Sequence, residues 1–485
     1  LEDRLYLKVK KSFLQMFTGE TIVFFASFFA GYFYALILGP NDYGVWQTAK
    51  VFISYSIVFT FSLPFVMRRD FVMLRSEGKH EEAKKIADLV FTYELFLTPL
   101  ISLGLILYSL FFIENYLLKL SMMTVGAIYV SQFIGGYGNL LAKGLNNYNL
   151  LKKASILNGI LTILTVPLVY FFGINSLFIA TIIIAMINSV YYFVNRPFSF
   201  NLFWDNKLFK TLLIISFPLY LQDISSTIFD SIDRLIIARY LNFSEVGYYS
   251  LSSLVIIPLR LLISSFSVVL FTQLNEKYGF SNADHVIEKH VIIPHKILSV
   301  LFPPLLGIAV ILLPTVVTFF LPKYVLGISS AQIALFGMFI FLLNTFSANA
   351  LFVVNKQKIT AIVYFVVGVF KTILCYLSMV YGYGIIGIAC STVISFLVLD
   401  FLMLRIVFKQ LKKSPTQFYV YFLKEIFPTI FIALVCFLFF LVSPKLEIFF
   451  SSFTITIIGL TVVLISSLPM LIIAKNRVKE LSSNQ

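Results

Sequence analysis

Fourteen apolar stretches, each about 20 residues long or longer, follow one another along this chain with only short gaps between them. They run over residues 13–37, 43–67, 86–112, 120–141, 154–172, 176–195, 211–240, 246–271, 291–321, 329–354, 359–381, 384–405, 424–443 and 446–473. Each reaches the roughly 20 residues that an α-helix needs to cross about 30 Å of hydrocarbon. The pattern therefore predicts an all-α polytopic membrane protein. Composition agrees, with 59% hydrophobic and 12% charged residues, and leaves no stretch for a soluble domain of appreciable size.

Basic residues fix the expected orientation. Lys119, Lys323 and Lys445 are the sole Lys or Arg in one set of alternate gaps, whereas the other set and both tails are rich in them. The positive-inside rule then puts both termini in the cytoplasm of a cell (inner or plasma) membrane protein. The net charge of +14 belongs mainly to a cytoplasmic surface facing anionic membrane lipids, not to nucleic-acid binding. Longer cytoplasmic gaps, at 68–85, 272–290 and 409–424, mix basic and aliphatic residues as surface-lying anchors do. The outer gaps are very short and cannot hold a catalytic domain. The first span is too long for a signal-peptide core and contains Glu20, so it is expected to remain in the mature protein.

The chain repeats itself at an offset of 203 residues. Leu38, Asp42, Gly44 and Trp46 then fall on Leu241, Glu245, Gly247 and Tyr249, and Glu20 falls independently on Asp223. Six spans separate the two copies, so the repeat is parallel, about an axis normal to the membrane. The expected organisation is a six-helix bundle over 1–195, an aromatic-rich interfacial linker over 196–210, a second six-helix bundle over 211–405, and two additional helices with a tail over 406–485. Such repeats put a substrate site near mid-membrane.

The run Phe229-Asp-Ser-Ile-Asp233-Arg234-Leu-Ile-Ile, followed by Ser244-Glu245-Val246-Gly247-Tyr248-Tyr249-Ser250, resembles the seventh and eighth helices of the Wzx-type polysaccharide flippases. These belong to the multidrug/oligosaccharidyl-lipid/polysaccharide exporter superfamily. Gly39-Pro40-Asn41-Asp42-Tyr43-Gly44 is similar to the family's first outer turn, while Asn242-Phe243 departs from it where a Gly and a small residue or Pro are usual. The resemblance implies two six-helix bundles around a cationic cavity, alternating access, and a polyprenyl-diphosphate-linked oligosaccharide as cargo.

An ionisable side chain at mid-bilayer costs about 2.5–3.5 kcal/mol on insertion scales, so each one inside a span demands an explanation. Lys50 lies about 10 Å from the outer end of span two, with Tyr43, Gln47 and Ser54 on its helical face. Arg260 lies roughly 20 Å into span eight, flanked by serines. Lys371 sits near the centre of span eleven, aligned with Tyr364, Gly368, Cys375 and Ser378. Either these cations hold the diphosphate of the cargo, Arg by its fork and Lys as a point charge, or they pair with buried carboxylates. In span seven, Ser216, Asp223, Thr227, Asp230 and Arg234 share a face. Asp230 and Arg234, four apart, can pair along the helix or serve as coupling and substrate-binding groups. Glu20 and Asp223 lack a partner in their own helices and are candidates for binding a coupling ion, H+ or Na+. Asp400, Glu94 and Glu425, nearer the cytoplasmic ends, are expected to be solvated and structural. The amides Gln132, Asn139, Asn158, Asn188, Asn344 and Asn349 are able to bond sugar hydroxyls or neighbouring helices, and are assigned to helix packing.

Cys375, Cys390 and Cys436 all lie within spans without metal spacing, and His285, His290 and His295 recur every five residues, which scatters them around a helix. No metal, cofactor or disulfide framework is expected. No G-x-x-x-x-G-K-[ST] stretch occurs, so energy must come from a gradient, membrane potential or product removal. The expected function is flipping of a lipid-linked polysaccharide repeat unit from the cytoplasmic to the outer leaflet. The expected form is a monomer, working beside polysaccharide-assembly proteins. The alternatives are a lipid II flippase, a multidrug antiporter of the same superfamily, and an enzyme polymerising lipid-linked sugars, for which the outer gaps are too short.

Overall fold

The computed structural model describes residues 2–55, 57–196, 200–256, 288–354, 356–446 and 451–483. Eleven helices among the described residues are long and apolar enough to cross a membrane. A helix satisfies its own backbone polar groups, which is what a chain inside hydrocarbon requires. Two of the eleven, Gln15–Thr60 and Tyr148–Val194, have 46 and 47 residues. Either would extend about 70 Å if straight, more than twice the hydrocarbon thickness. Each is instead two crossings joined at a glycine in the left-handed region, Gly39 at φ 71° and Gly173 at φ 67°. The expected eighth span continues beyond Ile256, outside the described residues. The architecture is thus all-α and multi-pass, and compatible with fourteen crossings.

In chain order the helices are α1 (Glu2–Ser54), α2 (Ile57–Thr60), α3 (Leu63–Ser76), α4 (His80–Phe112), α5 (Tyr116–Gly144), α6 (Tyr148–Val194), α7 (Asn206–Tyr240) and α8 (Phe243–Tyr249). There follow α9 (Ile293–Phe320), α10 (Ile328–Val353), α11 (Gln357–Val380), α12 (Gly384–Gln410), α13 (Pro415–Leu446) and α14 (Ser452–Ser483). Large apolar side chains such as Phe111, Phe112, Phe319 and Ile214 are about three-quarters exposed, the inverse of a water-soluble fold and the arrangement lipid contact requires.

The chain divides into two compact units, residues 1–238 with 242–247, and residues 239–241 with 248–485. The first unit includes α7 up to Ala238, a helix that the sequence repeat groups with the second six-helix bundle. Its core joins Leu63, Met67 and Phe71 of α3 to Leu89 and Val90 of α4, Tyr137 and Leu141 of α5, and Leu212 of α7. The linker ahead of α7 is tied to α4. Asn201 N donates to Asp88 Oδ1 at 3.1 Å, Phe203 N donates to Thr92 Oγ1 at 3.0 Å, and the Phe200 ring lies 4.7 Å from that of Phe91.

In the second unit, α13 and α14 are packed against α9 through small residues. A Cβ on Gly307 of α9 would come within 2.7 Å of Ile432 and 2.8 Å of Val463, and one on Gly459 of α14 within 2.7 Å of Phe439. Close backbone approach at small residues is how helices associate where lipid removes the hydrophobic drive. Thr315 and Thr456 add a hydroxyl pair at 2.6 Å. The two C-terminal helices are thus integral to the packing of this unit. Cys375 and Cys436 are buried and Cys390 is exposed, and none of the three is in a disulfide.

Candidate functional site

Within the first unit, α1, α5 and α6 line a half-open cavity of about 540 Å³. Glycines shape it. Gly135 N donates to Ser189 Oγ at 3.0 Å, and a Cβ on Gly138 would come within 2.6 Å of Tyr192, so α5 and α6 touch along one side. Gly136 between them has nothing within 4 Å of a built Cβ and leaves the volume open. Tyr34 of α1 bonds Thr165 of α6 and closes another edge.

The wall combines apolar surface with a set of amides and hydroxyls and is almost uncharged. Gln132, Asn139, Asn158 and Asn188 all line it, together with hydroxyls such as Ser27, Ser155 and Thr181. Lys50 is its one charged side chain among the described residues. Tyr43 and Gln47, on the same helical face as Lys50, are buried, while Lys50 is exposed to the cavity with Nζ 5.9 Å from the Trp46 ring centre. Four of the six amides that sequence assigns to helix packing therefore surround one cavity. Of the other two, Asn344 donates to Tyr364 OH at 3.2 Å between buried helix faces in the second unit.

A second polar feature sits where the second crossing breaks. Between α2 and α3, Phe61 and Ser62 take φ of 49° and 52°, a conformation that costs a side-chain-bearing residue about 1–2 kcal/mol. Pro64 at the start of α3 has no N–H to offer a preceding turn, which favours the break here. Ser62 is buried, and its Oγ donates to Asp223 Oδ2 of α7 at 2.6 Å. Tyr93 OH donates to the carbonyl of Phe59 at 3.1 Å, satisfying an acceptor that the break releases. A little over two turns further along α7, Ser231 Oγ donates to Tyr55 OH at 3.0 Å.

The other charged residues singled out by sequence are distributed as follows. Asp223 is bonded to Ser62, and Glu20 lies exposed within coulombic reach of Lys143, which also feels Arg68. The partners that neither carboxylate has in its own helix thus come from other helices. Arg234 lies within coulombic reach of Lys50 and is half-buried, its backbone N–H donating to Asp233 Oδ1 at 2.9 Å, while Asp230 is exposed. Lys371, in the second unit, is fully buried, with Nζ 5.5 Å from the Phe396 ring centre. Its stripe of Tyr364, Gly368, Cys375 and Ser378 is buried with it. Arg260 lies outside the described residues.

Three carboxylates expected to be solvated are not. Glu94, Asp400 and Glu425 are at most 6% exposed, because the helix ends that carry them are covered by neighbouring helices. Glu425 accepts from Ser299, and Asp400 Oδ1 lies 3.8 Å from His295 Nε2, whose Nδ1 meets Tyr421 OH at 3.0 Å. No group of three or more His, Cys, Asp or Glu among the described residues could hold a metal ion.

A cavity carrying several amides and hydroxyls and a carboxylate at a broken helix, both inside membrane-crossing helices, are the equipment of a transporter, which binds a polar group within the bilayer. Comparison with known proteins agrees. A family model described as polysaccharide biosynthesis protein matches residues 34–330, more than half of the chain. A curated relative from Shigella flexneri, named "Putative O-antigen transporter", is 24% identical over 388 residues, covering 77% of this chain and 91% of that protein. Among solved structures, an inward-facing multidrug resistance MATE family transporter of the MOP superfamily superposes with a TM-score of 0.66 at 16% identity, covering 80% of this chain and 96% of its own. The lipid II flippase MurJ in an inward closed conformation gives 0.65 at 17%, covering 94% and 99%. The chain belongs to the polysaccharide biosynthesis protein family, and its fold is that of the MOP-superfamily membrane transporters.

Proposed function

We propose that this protein is a flippase that moves a polyprenyl-diphosphate-linked oligosaccharide from the cytoplasmic to the outer leaflet of a cell membrane, by alternating access. The observation that carries the reading is the cavity inside the first unit, rich in amides and hydroxyls, with Lys50 as its one lining charge among the described residues. Polyhydroxyl cargo of neutral or negative charge suits such a wall. A cationic drug would need a carboxylate there, which disfavours the multidrug reading. Family membership supports glycan cargo over lipid II.

In this reading the negative charge of the cargo is met by Lys371, Lys50, Arg234 and Arg260, since an anion cannot otherwise enter a low-dielectric interior. Asp223, held by Ser62 at a helix break, binds the coupling ion, H+ or Na+, with Glu20 and Asp230 as further candidates. Both termini are cytoplasmic by the positive-inside rule, and the 203-residue repeat supports two six-helix bundles followed by two extra helices. The protein acts without chemistry of its own.

The test is reconstitution into proteoliposomes with a fluorescently tagged lipid-linked oligosaccharide, reading leaflet exchange by quencher access. Protein-dependent exchange is expected. Absence of exchange together with uptake of a cationic dye would overturn the reading in favour of an antiporter.

A further inference from the structure

The cavity lined by α1, α5 and α6 is smaller than the cargo. Its roughly 540 Å³ lies in the range of about 300–1,000 Å³ typical of small-molecule sites, so it accommodates a part of a lipid-linked oligosaccharide. Three features say which part.

First, polar groups lining the cavity remain available to a ligand. Among the described residues the side-chain amides of Gln132 and Asn158 make no hydrogen bond within the protein, and Asn188 uses its Nδ2 on the Ile184 carbonyl at 3.0 Å, which leaves its Oδ1 to accept. An amide presents donors and an acceptor side by side, the complement of a vicinal diol. Second, Trp46 lines the same volume, and the part of its largely buried indole that reaches the cavity offers apolar contact to the C–H surface of a sugar. Third, Lys50 reaches in as a single ammonium, with no Asp or Glu in the wall to neutralise it. One point charge matches one carboxylate. A diphosphate carries more charge and is better met by several cations or by an Arg fork, which this wall lacks.

We propose that this cavity is a glycan subsite for a sugar residue bearing a carboxylate, with Lys50 as its counter-ion and Gln132, Asn158 and Asn188 reading ring hydroxyls. The proposal rests on the flippase reading and names the portion of the cargo that enters the first unit. The diphosphate and lipid lie outside the subsite, so a free acidic monosaccharide is recognised without them.

The chain has two tryptophans, Trp46 and Trp204. In the Trp204→Phe protein Trp46 is the sole indole and reports directly from the cavity. That protein, in lipid nanodiscs, is titrated with glucuronic acid, glucose and inorganic pyrophosphate. Glucuronic acid is expected to change Trp46 emission saturably and to bind about tenfold more tightly than glucose, the contribution of one charge-assisted hydrogen bond. Lys50→Met should abolish that preference and leave glucose binding in place. Asn158→Leu should weaken both sugars. Equal affinity for the two sugars overturns the carboxylate assignment, and no response to either sugar overturns the subsite. Displacement of glucuronic acid by lower concentrations of pyrophosphate also overturns it and gives the cavity to the diphosphate, with the flippase reading intact. Leaflet exchange of the lipid-linked cargo is measured in parallel. Failure there, with glucuronic acid still bound, removes the flippase reading and leaves the sugar site standing.

Discussion

Gly44 and Gly247, related by the 203-residue repeat, meet backbone to backbone. A Cβ on Gly44 would lie 1.7 Å from the Phe243 carbonyl oxygen and 3.0 Å from Gly247 N, and one on Gly247 would lie 2.1 Å from the Pro40 carbonyl oxygen. The obstructing atoms are main chain at both positions, so no rotamer change can relieve the clash. Gly44→Ala and Gly247→Ala are each expected to destabilise the protein by about 3 kcal/mol, the upper end of overpacking penalties. Gly104→Ala is the control, since nothing lies within 4 Å of its built Cβ and alanine favours the helix by about 1 kcal/mol. Thermal unfolding followed by size-exclusion in detergent separates the cases. Equal stability of Gly247→Ala and the parent would contradict the packing.

The contact between Ser62 and Asp223 makes a different kind of prediction, because it combines strain with a hydrogen bond. Ser62→Ala removes the hydroxyl and keeps a side chain in the left-handed region, costing about 1 kcal/mol for the lost bond. Ser62→Gly removes the same hydroxyl and relieves the conformation, so it should be more stable than Ser62→Ala by about 1 kcal/mol. Asp223→Asn tests coupling. Gradient-driven movement of cargo should fall at least about tenfold, while exchange of cargo at equilibrium persists, because Asn keeps the shape and loses the ion site. Unchanged gradient dependence would remove Asp223 from the coupling role.

How far sequence carries is visible at these same residues. The crossings, the breaks after Gly39 and near Gly173, and the singularity of Asp223 follow from hydropathy, turn chemistry and the cost of burying charge. The partner of Asp223 does not. Residues 57–66 read as continuous apolar helix, and only Pro64 hints that the chain breaks to present Ser62. The gathering of Gln132, Asn139, Asn158 and Asn188 was equally hidden, since hydropathy fixes that α5 and α6 exist and says nothing of how each is rotated about its axis. The burial of Glu94, Asp400 and Glu425 is hidden for the same reason, since distance from mid-membrane suggests solvation while neighbouring helices cover them.

His295, Asp400 and Tyr421 tie α9, α12 and α13 of the second unit together in a site at most 8% exposed. Removing one member of a buried set leaves the others without a partner, so the costs of two single removals overlap. Asp400→Ala and His295→Ala should each lower stability by about 3 kcal/mol. The double variant should lose less than the sum, with a coupling of about 0.5–3 kcal/mol. A double-mutant cycle on thermal unfolding reads this directly. Strict additivity would mean that the two side chains are independent.

Topology is tested by labelling. Asn41 and Lys323 lie in expected outer gaps, and Gly78 lies in an expected cytoplasmic gap with nothing within 4 Å of a built Cβ. The native cysteines must first be replaced, above all the exposed Cys390. A membrane-impermeant maleimide should then label Asn41→Cys and Lys323→Cys in intact cells and reach Gly78→Cys only after permeabilisation. Labelling of Gly78→Cys from outside would invert the orientation.

Lys371 is the charge whose burial is most complete among the described residues, fully buried in the second unit with its Nζ over the Phe396 ring. A lysine held there for helix pairing and a lysine held for an anionic cargo differ in what its loss does. Lys371→Ala should reduce leaflet exchange of the lipid-linked oligosaccharide by at least about tenfold, the effect of losing one charge-assisted contact, with folded protein recovered at parental yield. Lys371→Arg restores the charge and should recover part of the activity, limited by the bulk of the guanidinium in a packed site. Lys371→Met keeps the length and removes the charge, so it should resemble alanine in transport and the parent in stability. Loss of folded protein in Lys371→Met with normal exchange by the survivors would instead make Lys371 a packing charge, and the diphosphate would then have to be met by Arg234 and Arg260 alone.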